Sequence, residues 1–163
     1  MTLLTAAEFR DLTLTEARSL LANHNVGRLA FTLHDRVDIA PISYVNDDAW
    51  IFGRTSKGAK LATLLHHPWC AFEVDEVRGP FDWASVVVKG SFHLLDPEIG
   101  SPDTYRRAEV LLRDLVPGTF SADDPAPHRD IVFGIFIQEI TGRTAQPVKD
   151  AATRLRPTAE TIA

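Results

Sequence analysis

The sequence has few of the residues that build metal sites and disulfides. Cys70 is the single cysteine among 163 residues, which excludes an intramolecular disulfide and any site with several cysteine ligands. Cys70 lies in an apolar run, so we expect a small buried side chain. His66 and His67 are adjacent and do not share a helical face, and no other histidines have zinc-ligand spacing. The sequence therefore predicts no metal site.

An excess of basic residues and long apolar runs are also missing. Lys and Arg number 17 against 22 Asp and Glu, which gives a formal net charge of −5 and argues against nucleic-acid binding. The apolar runs are far shorter than the roughly 20 residues that span a bilayer. Residues 1–10 lack the basic region and apolar stretch of a signal peptide. We therefore expect a soluble cytoplasmic protein with no membrane segment.

Hydrophobic patterning predicts a mainly β protein. Thr13 and Glu16 have capping-box spacing and mark the start of a first helix. Alternating or β-branched segments predict six strands, and short links between several of them indicate antiparallel neighbours. The remaining predicted elements are two helices. The strands are expected near 28–33, 37–45, 50–55, 69–75, 84–95 and 131–141, and the helices over 57–66 and 103–115.

The order of these elements indicates the architecture. There is no βαβ alternation, so a small six-stranded antiparallel barrel with flanking helices is favoured over a doubly wound sheet. We expect a single domain over residues 1–143. Residues 144–163 are polar and contain prolines, and they are predicted to form a mobile or loosely docked tail.

Three cations surround the start of the second predicted helix. Arg54 ends the preceding strand, Ser56 is a good N-cap, and Lys57 and Lys60 lie in the expected first turn. A helix N-terminus carries about half a positive charge, so cations there are disfavoured by a few tenths of a kcal/mol each. A bound phosphate would remove this conflict, and the hydroxyl of Thr55 would add a donor. The alternative interpretation is a solvated, capped helix with surface lysines.

Six short stretches then stand in a recognisable order. They are Val26-Gly27-Arg28-Leu29-Ala30, Pro41-Ile42-Ser43-Tyr44-Val45, Phe52-Gly53-Arg54-Thr55 followed by Gly58-Ala59-Lys60, Ala71-Phe72-Glu73-Val74-Asp75, Trp83-Ala84-Ser85-Val86-Val87-Val88-Lys89-Gly90, and Thr141-Gly142-Arg143. As an ordered set they resemble the pyridoxamine 5′-phosphate oxidase-like, FMN-binding split-barrel family. Within it they are similar to the branch that includes nitroimidazole-resistance proteins.

The resemblance implies a six-stranded antiparallel split barrel of the FMN-binding type, which forms a homodimer with the cofactor at the interface. It implies that Arg54, Thr55 and Lys60 contact the phosphate, with Lys57 in a secondary role. It places Pro41, Ile42, Ser43 and Tyr44 along the flavin ring. Trp83 and Ser85 would lie near the ring or reach it from the partner subunit.

The function implied is an FMN-dependent oxidoreductase acting on a small molecule. The flavin carries the redox chemistry, so no catalytic side chain is predicted. Two alternatives stay open: an F420-dependent reductase on the same fold, and a non-catalytic flavin-binding module. Relatives of this architecture also bind haem. The C-terminal Arg154-Leu155-Arg156-Pro157 only faintly matches the substrate motif of full pyridoxamine phosphate oxidases, which argues against that activity.

Overall fold

The computed structural model describes residues 6–148, which form seven strands and three helices. The strands are β1 (Ala7–Asp11), β2 (Val26–Leu33), β3 (Arg36–Asn46), β4 (Trp50–Thr55), β5 (Trp69–Gly79), β6 (Asp82–Leu94) and β7 (Ile131–Pro147). The helices are α1 (Leu14–Ala22), α2 (Ala59–His66) and α3 (Pro102–Leu115). None of these helices is long and apolar enough to cross a membrane.

The strands form one antiparallel sheet that closes on itself. The order β7-β4-β3-β2-β5-β6 returns to β7, because β6 and β7 also pair. Six strands therefore complete the barrel, as predicted. β1 is a seventh strand that the sequence pattern did not predict. The long strand β7 pairs with β4 over its first half and with β1 over residues 143–147, while β6 follows its other edge.

The end of β7 extends beyond the expected boundary at residue 143. Thr144 and Ala145 are 2% and 0% exposed, and Ala145 lies opposite Phe9 of β1 and Trp83 of β6. Because β1 pairs with residues 143–147 and β6 pairs with β7 up to Ala145, this polar segment is strand up to Pro147. The remainder of the predicted tail, residues 149–163, lies outside the described residues.

The barrel interior holds the main hydrophobic core. Leu29 and Phe31 alternate with outward-facing residues on β2, which confirms the predicted half-buried strand. α1 packs against the barrel, and the predicted capping box is present, since Thr13 and Glu16 each accept the other's backbone N–H. The Tyr44 hydroxyl donates a 2.6 Å hydrogen bond to the carbonyl of Leu21, which fixes α1 to β3.

The start of α2 differs from the prediction. The helix begins at Ala59 with Gly58 as its N-cap, so the assignment of Ser56 as N-cap was wrong. Gly58 has no side chain that caps the helix. Lys57 consequently precedes the helix, whereas Lys60 lies in its first turn. The prediction that both lysines lie in the first turn of α2 was therefore wrong for Lys57.

Candidate functional site

A small cavity lies where β3 and β4 meet the loop between α3 and β7. Its volume is about 210 Å³. Ser43 reaches it from β3 and Arg54 from β4, so two predicted cofactor-binding residues share this cavity. The loop contributes Thr119, Ala126 and Arg129. Sequence reasoning did not assign these loop residues to the site, because a loop has no periodicity that shows which residues face a ligand.

Arg54 is held by a bidentate ion pair inside this region. Its Nη1 donates to Asp124 Oδ2 at 2.7 Å, and its Nη2 donates to Asp124 Oδ1 at 3.2 Å. The two side chains are 11% and 3% exposed. Nη1 also donates to the carbonyl of Arg129 at 3.2 Å. Both terminal nitrogens therefore have partners within the chain, and Arg54 as a phosphate ligand stays a prediction.

Asp124 also organises the loop around it. The backbone N–H of Phe120 donates to Oδ2 at 2.8 Å, and that of Ala126 donates to Oδ1 at 2.9 Å. The hydrogen bonds from Arg54, followed by those from Ala126 and Phe120, hold the pKa of Asp124 well below its usual value. The Phe120 ring centroid lies 5.2 Å from the Arg54 guanidinium carbon, within cation–π range. The carboxylate is therefore ionised and saturated with donors.

Lys60 and Arg129 are two further cations of this region, of which Arg129 lines the cavity. Lys60 is half-buried in the first turn of α2, while Arg129 is exposed and lines the cavity. Burial, and secondly the charge of Arg129, lower the pKa of the Lys60 ammonium. No carboxylate of residues 6–148 lies within 4.0 Å of either cation. Two neighbouring cations without an acidic partner favour an anionic ligand.

The other predicted residues of the turn have different surroundings. Thr55 is 5% exposed, and its hydroxyl is 3.4 Å from the carbonyl of Ser56. Lys57 lines a separate cavity of about 400 Å³ with Leu61 and Asp130. The structure therefore does not bring Lys57 together with Arg54 and Ser43.

The predicted ring-binding segment alternates across the barrel wall. Ile42 and Tyr44 face inward and are 3% and 0% exposed, whereas Pro41 and Ser43 are exposed on the outer surface. A ligand on the outer surface would therefore meet the side chains of Pro41 and Ser43, but at most the backbone of Ile42 and Tyr44. Contact between this segment and a flavin ring stays a prediction.

Trp83 and Ser85 lie on β6 and do not line the cavity of Arg54 and Ser43. The Ser85 hydroxyl donates to Glu73 Oε1 at 2.9 Å, and the Trp83 ring centroid is 6.3 Å from that of Phe9. Within one chain these residues belong to another part of the barrel wall. Their role at a cofactor stays a prediction.

An open apolar surface covers the outside of β2, β3 and β5. Val37, Ile39 and Trp69 are 75%, 61% and 65% exposed. The register places Ile39 beside Ala30, which in turn lies beside Ala71. A wide groove of about 710 Å³ runs along this surface, and its lining also includes Lys89 and Glu139 but neither Lys60 nor Arg129. Exposed apolar surface of this kind is typical of contact sites for other molecules.

Solved structures with the same fold include flavin-related proteins. A protein from Mesorhizobium loti described as FAD-binding is 26% identical, with a TM-score of 0.67 over 83% of this chain and 96% of that one. A putative pyridoxamine 5′-phosphate oxidase from Corynebacterium glutamicum is 26% identical, with a TM-score of 0.62 over 86% and 100%. A putative 5-nitroimidazole antibiotic resistance protein from Bacteroides thetaiotaomicron shares the fold at 14% identity, with a TM-score of 0.64 over 86% and 89%.

The sequence, as well as the fold, indicates the family of this chain. No curated protein matches this chain significantly. The sequence model of the family described as pyridoxamine 5′-phosphate oxidase matches residues 13–144, a range that runs from the N-cap of α1 into the last strand. The chain belongs to the pyridoxamine 5′-phosphate oxidase family.

Proposed function

We propose that this chain binds FMN, with the phosphate at the turn between β4 and α2, and acts as an FMN-dependent oxidoreductase. The observation that carries the proposal is the cavity that Ser43, Arg54 and Arg129 line. A second cation, Lys60, lies near enough to Arg129 for the arginine's charge to lower the pKa of the lysine. Such a pair attracts an anion, and a helix N-terminus adds free N–H donors. Membership of the family and the FAD-binding description of the Mesorhizobium loti protein support a flavin.

The size of the cavity favours the phosphate end of the cofactor. Its volume of about 210 Å³ is below the ~300–1,000 Å³ of sites that enclose a whole small molecule. A flavin with its phosphate here would extend past Ser43 and Pro41 on the outside of β3. The ring would then need a second surface to cover it, which supports the expectation that two subunits share each cofactor.

The direct test is the absorbance spectrum of the purified protein, followed by parallel titrations with FMN, FAD and F420. We expect a flavin spectrum and tight binding of FMN. A preparation that is colourless and binds none of the three contradicts the proposal. Tight F420 binding with negligible FMN binding would instead identify a deazaflavin-dependent reductase.

Catalysis requires a separate test, since the bound flavin would supply the redox chemistry and the chain would hold, orient and shield it. We expect the FMN-loaded protein to oxidise a reduced nicotinamide with a quinone or nitroaromatic acceptor. Flavin binding without turnover across such donors and acceptors would indicate a non-catalytic flavin-binding module.

Replacement of Lys60 tests the phosphate site. We expect Lys60→Ala to weaken FMN binding by roughly 1.5–3 kcal/mol, because a charge-assisted contact to phosphate is lost. Isothermal titration of FMN measures the change. Lys57→Ala is the comparison, and we expect a smaller loss because Lys57 precedes α2 and lines another cavity. Wild-type affinity in Lys60→Ala would show that the phosphate binds elsewhere.

The proposed homodimer is tested by a substitution on the exposed apolar surface of β3. We expect Ile39→Asp to convert a dimer into a monomer, because a charge on this 61% exposed apolar side chain would be desolvated at an interface. Light scattering after size exclusion gives the mass. Val110→Asp is the control, because Val110 is also exposed, at 58%, but lies on α3. A dimer that survives Ile39→Asp places the interface on another face.

A further inference from the structure

The surroundings of Arg54 leave little room for an anion at its guanidinium. The Asp124 carboxylate accepts four hydrogen bonds, two from Arg54 and one each from the N–H groups of Phe120 and Ala126. An incoming phosphate would have to displace this carboxylate from donors that satisfy it completely. The charges of Arg54 and Asp124 also cancel, so the pair contributes little attraction to a second anion.

The same ion pair determines where the end of the loop lies. Phe120 has a left-handed backbone, with φ of 61°, and its ring packs against the guanidinium of Arg54. Arg54 also donates to the carbonyl of Arg129, the next-to-last residue before β7. Arg54 therefore ties both the middle and the end of the loop to the end of β4. The side chain of Arg129 is not used in this contact.

Arg129 is exposed and lines the cavity together with Ser43 and Arg54. Lys60 lies in the first turn of α2, near enough for the charge of Arg129 to lower the pKa of its ammonium. An anion at the cavity would meet the guanidinium of Arg129, and the ammonium of Lys60 would add to the local positive charge. No carboxylate of the described chain offsets these two charges within ion-pair distance.

We propose that Arg129 directly holds the terminal phosphate of the cofactor, in addition to the Lys60 contact of the proposed function, and that Arg54 and Asp124 are positioning residues that fix the place of Arg129. This inference rests on the proposed function, since it concerns the same cofactor. It assigns a ligand from the loop between α3 and β7, and it changes the role of Arg54 from a direct contact to an indirect one.

Titration with FMN and with riboflavin, which lacks the phosphate, isolates this contact. We expect Arg129→Gln to lower FMN affinity about 10- to 100-fold and to leave riboflavin affinity unchanged. The backbone carbonyl that binds Arg54 is retained, so the fold should be intact. Arg106→Gln is the control, because Arg106 is an exposed arginine on α3 that pairs with Asp103.

A double-mutant cycle separates direct from indirect action of Arg54. The readout is the ratio of FMN affinity to riboflavin affinity, which a general loss of stability does not change selectively. If Arg54 acts through Arg129, Arg54→Gln lowers this ratio in the wild type but not further in Arg129→Gln. Additive losses would show that Arg54 contacts the phosphate itself and would overturn its positioning role.

The outcomes for Arg129 are also distinct. If the wild-type protein binds FMN and Arg129→Gln keeps the wild-type ratio of FMN affinity to riboflavin affinity, this inference is overturned. The proposed function then stands. Wild-type protein that binds neither FMN nor riboflavin overturns the proposed function and the inference together. If Arg54→Gln does not fold, Arg129→Gln alone still decides whether the loop supplies a phosphate ligand.

Discussion

Phe72→Ala is expected to lower the free energy of unfolding by about 3–5 kcal/mol. Phe72 is 0% exposed in the barrel core and lies opposite Leu29 in the pairing of β5 with β2. Its ring makes an edge-to-face contact with Tyr44, with centroids 4.9 Å apart. A Cβ added at Gly27 would lie 2.3 Å from its Cζ, so the ring fills the space above that glycine. Truncation therefore leaves a cavity that the surrounding strands cannot close.

Urea unfolding followed by circular dichroism measures this change. Phe81→Ala is the matched control, because Phe81 is 45% exposed in the β5–β6 turn, and we expect a loss of less than about 1 kcal/mol there. Equal losses in the two variants would contradict the assignment of Phe72 to the central core. A large change in the denaturant slope would instead indicate that two-state unfolding has been lost.

Local signals in the sequence were sufficient for most of the barrel. The alternation around Phe31 predicted β2, and the spacing of Thr13 and Glu16 predicted the start of α1, because both signals depend on neighbouring residues alone. β1 could not be predicted in this way. Only one of its residues, Ala7, is even partly buried, and the strand exists because its backbone pairs with the end of β7.

The site was predicted less completely, for a similar reason. The cations of the turn are visible in the sequence, and Arg54 does lie with Ser43 at one cavity. The partner of Arg54 is Asp124, 70 positions away in a loop without periodicity. Only closure of the barrel brings that loop to the end of β4. Sequence motifs could therefore group Arg54 with Ser43, whereas the ion pair of Arg54 depends on tertiary structure.

Gly90→Ala is expected to destabilise the fold by about 1–3 kcal/mol, because it overpacks the seam that closes the barrel. Gly90 lies where the β6–β7 register shifts next to Lys89. A Cβ there would be 2.2 Å from the carbonyl oxygen of Phe136 and 3.0 Å from Cγ2 of Ile135. The closest atom is backbone, so relief requires β7 to move away from β6.

A movement of β7 should also change the candidate site, because the first half of β7 pairs with β4. Val132 lies opposite Arg54, three residues after Arg129, so a shift of β7 changes the distance between the two arginines. Gly79→Ala is the control in the β5–β6 hairpin, where an added Cβ meets no atom within 4 Å. We expect thermal unfolding to shift only for Gly90→Ala, and FMN affinity to fall with it. A Gly90→Ala variant as stable as the wild type would show that β7 can move away from β6 without loss of stability.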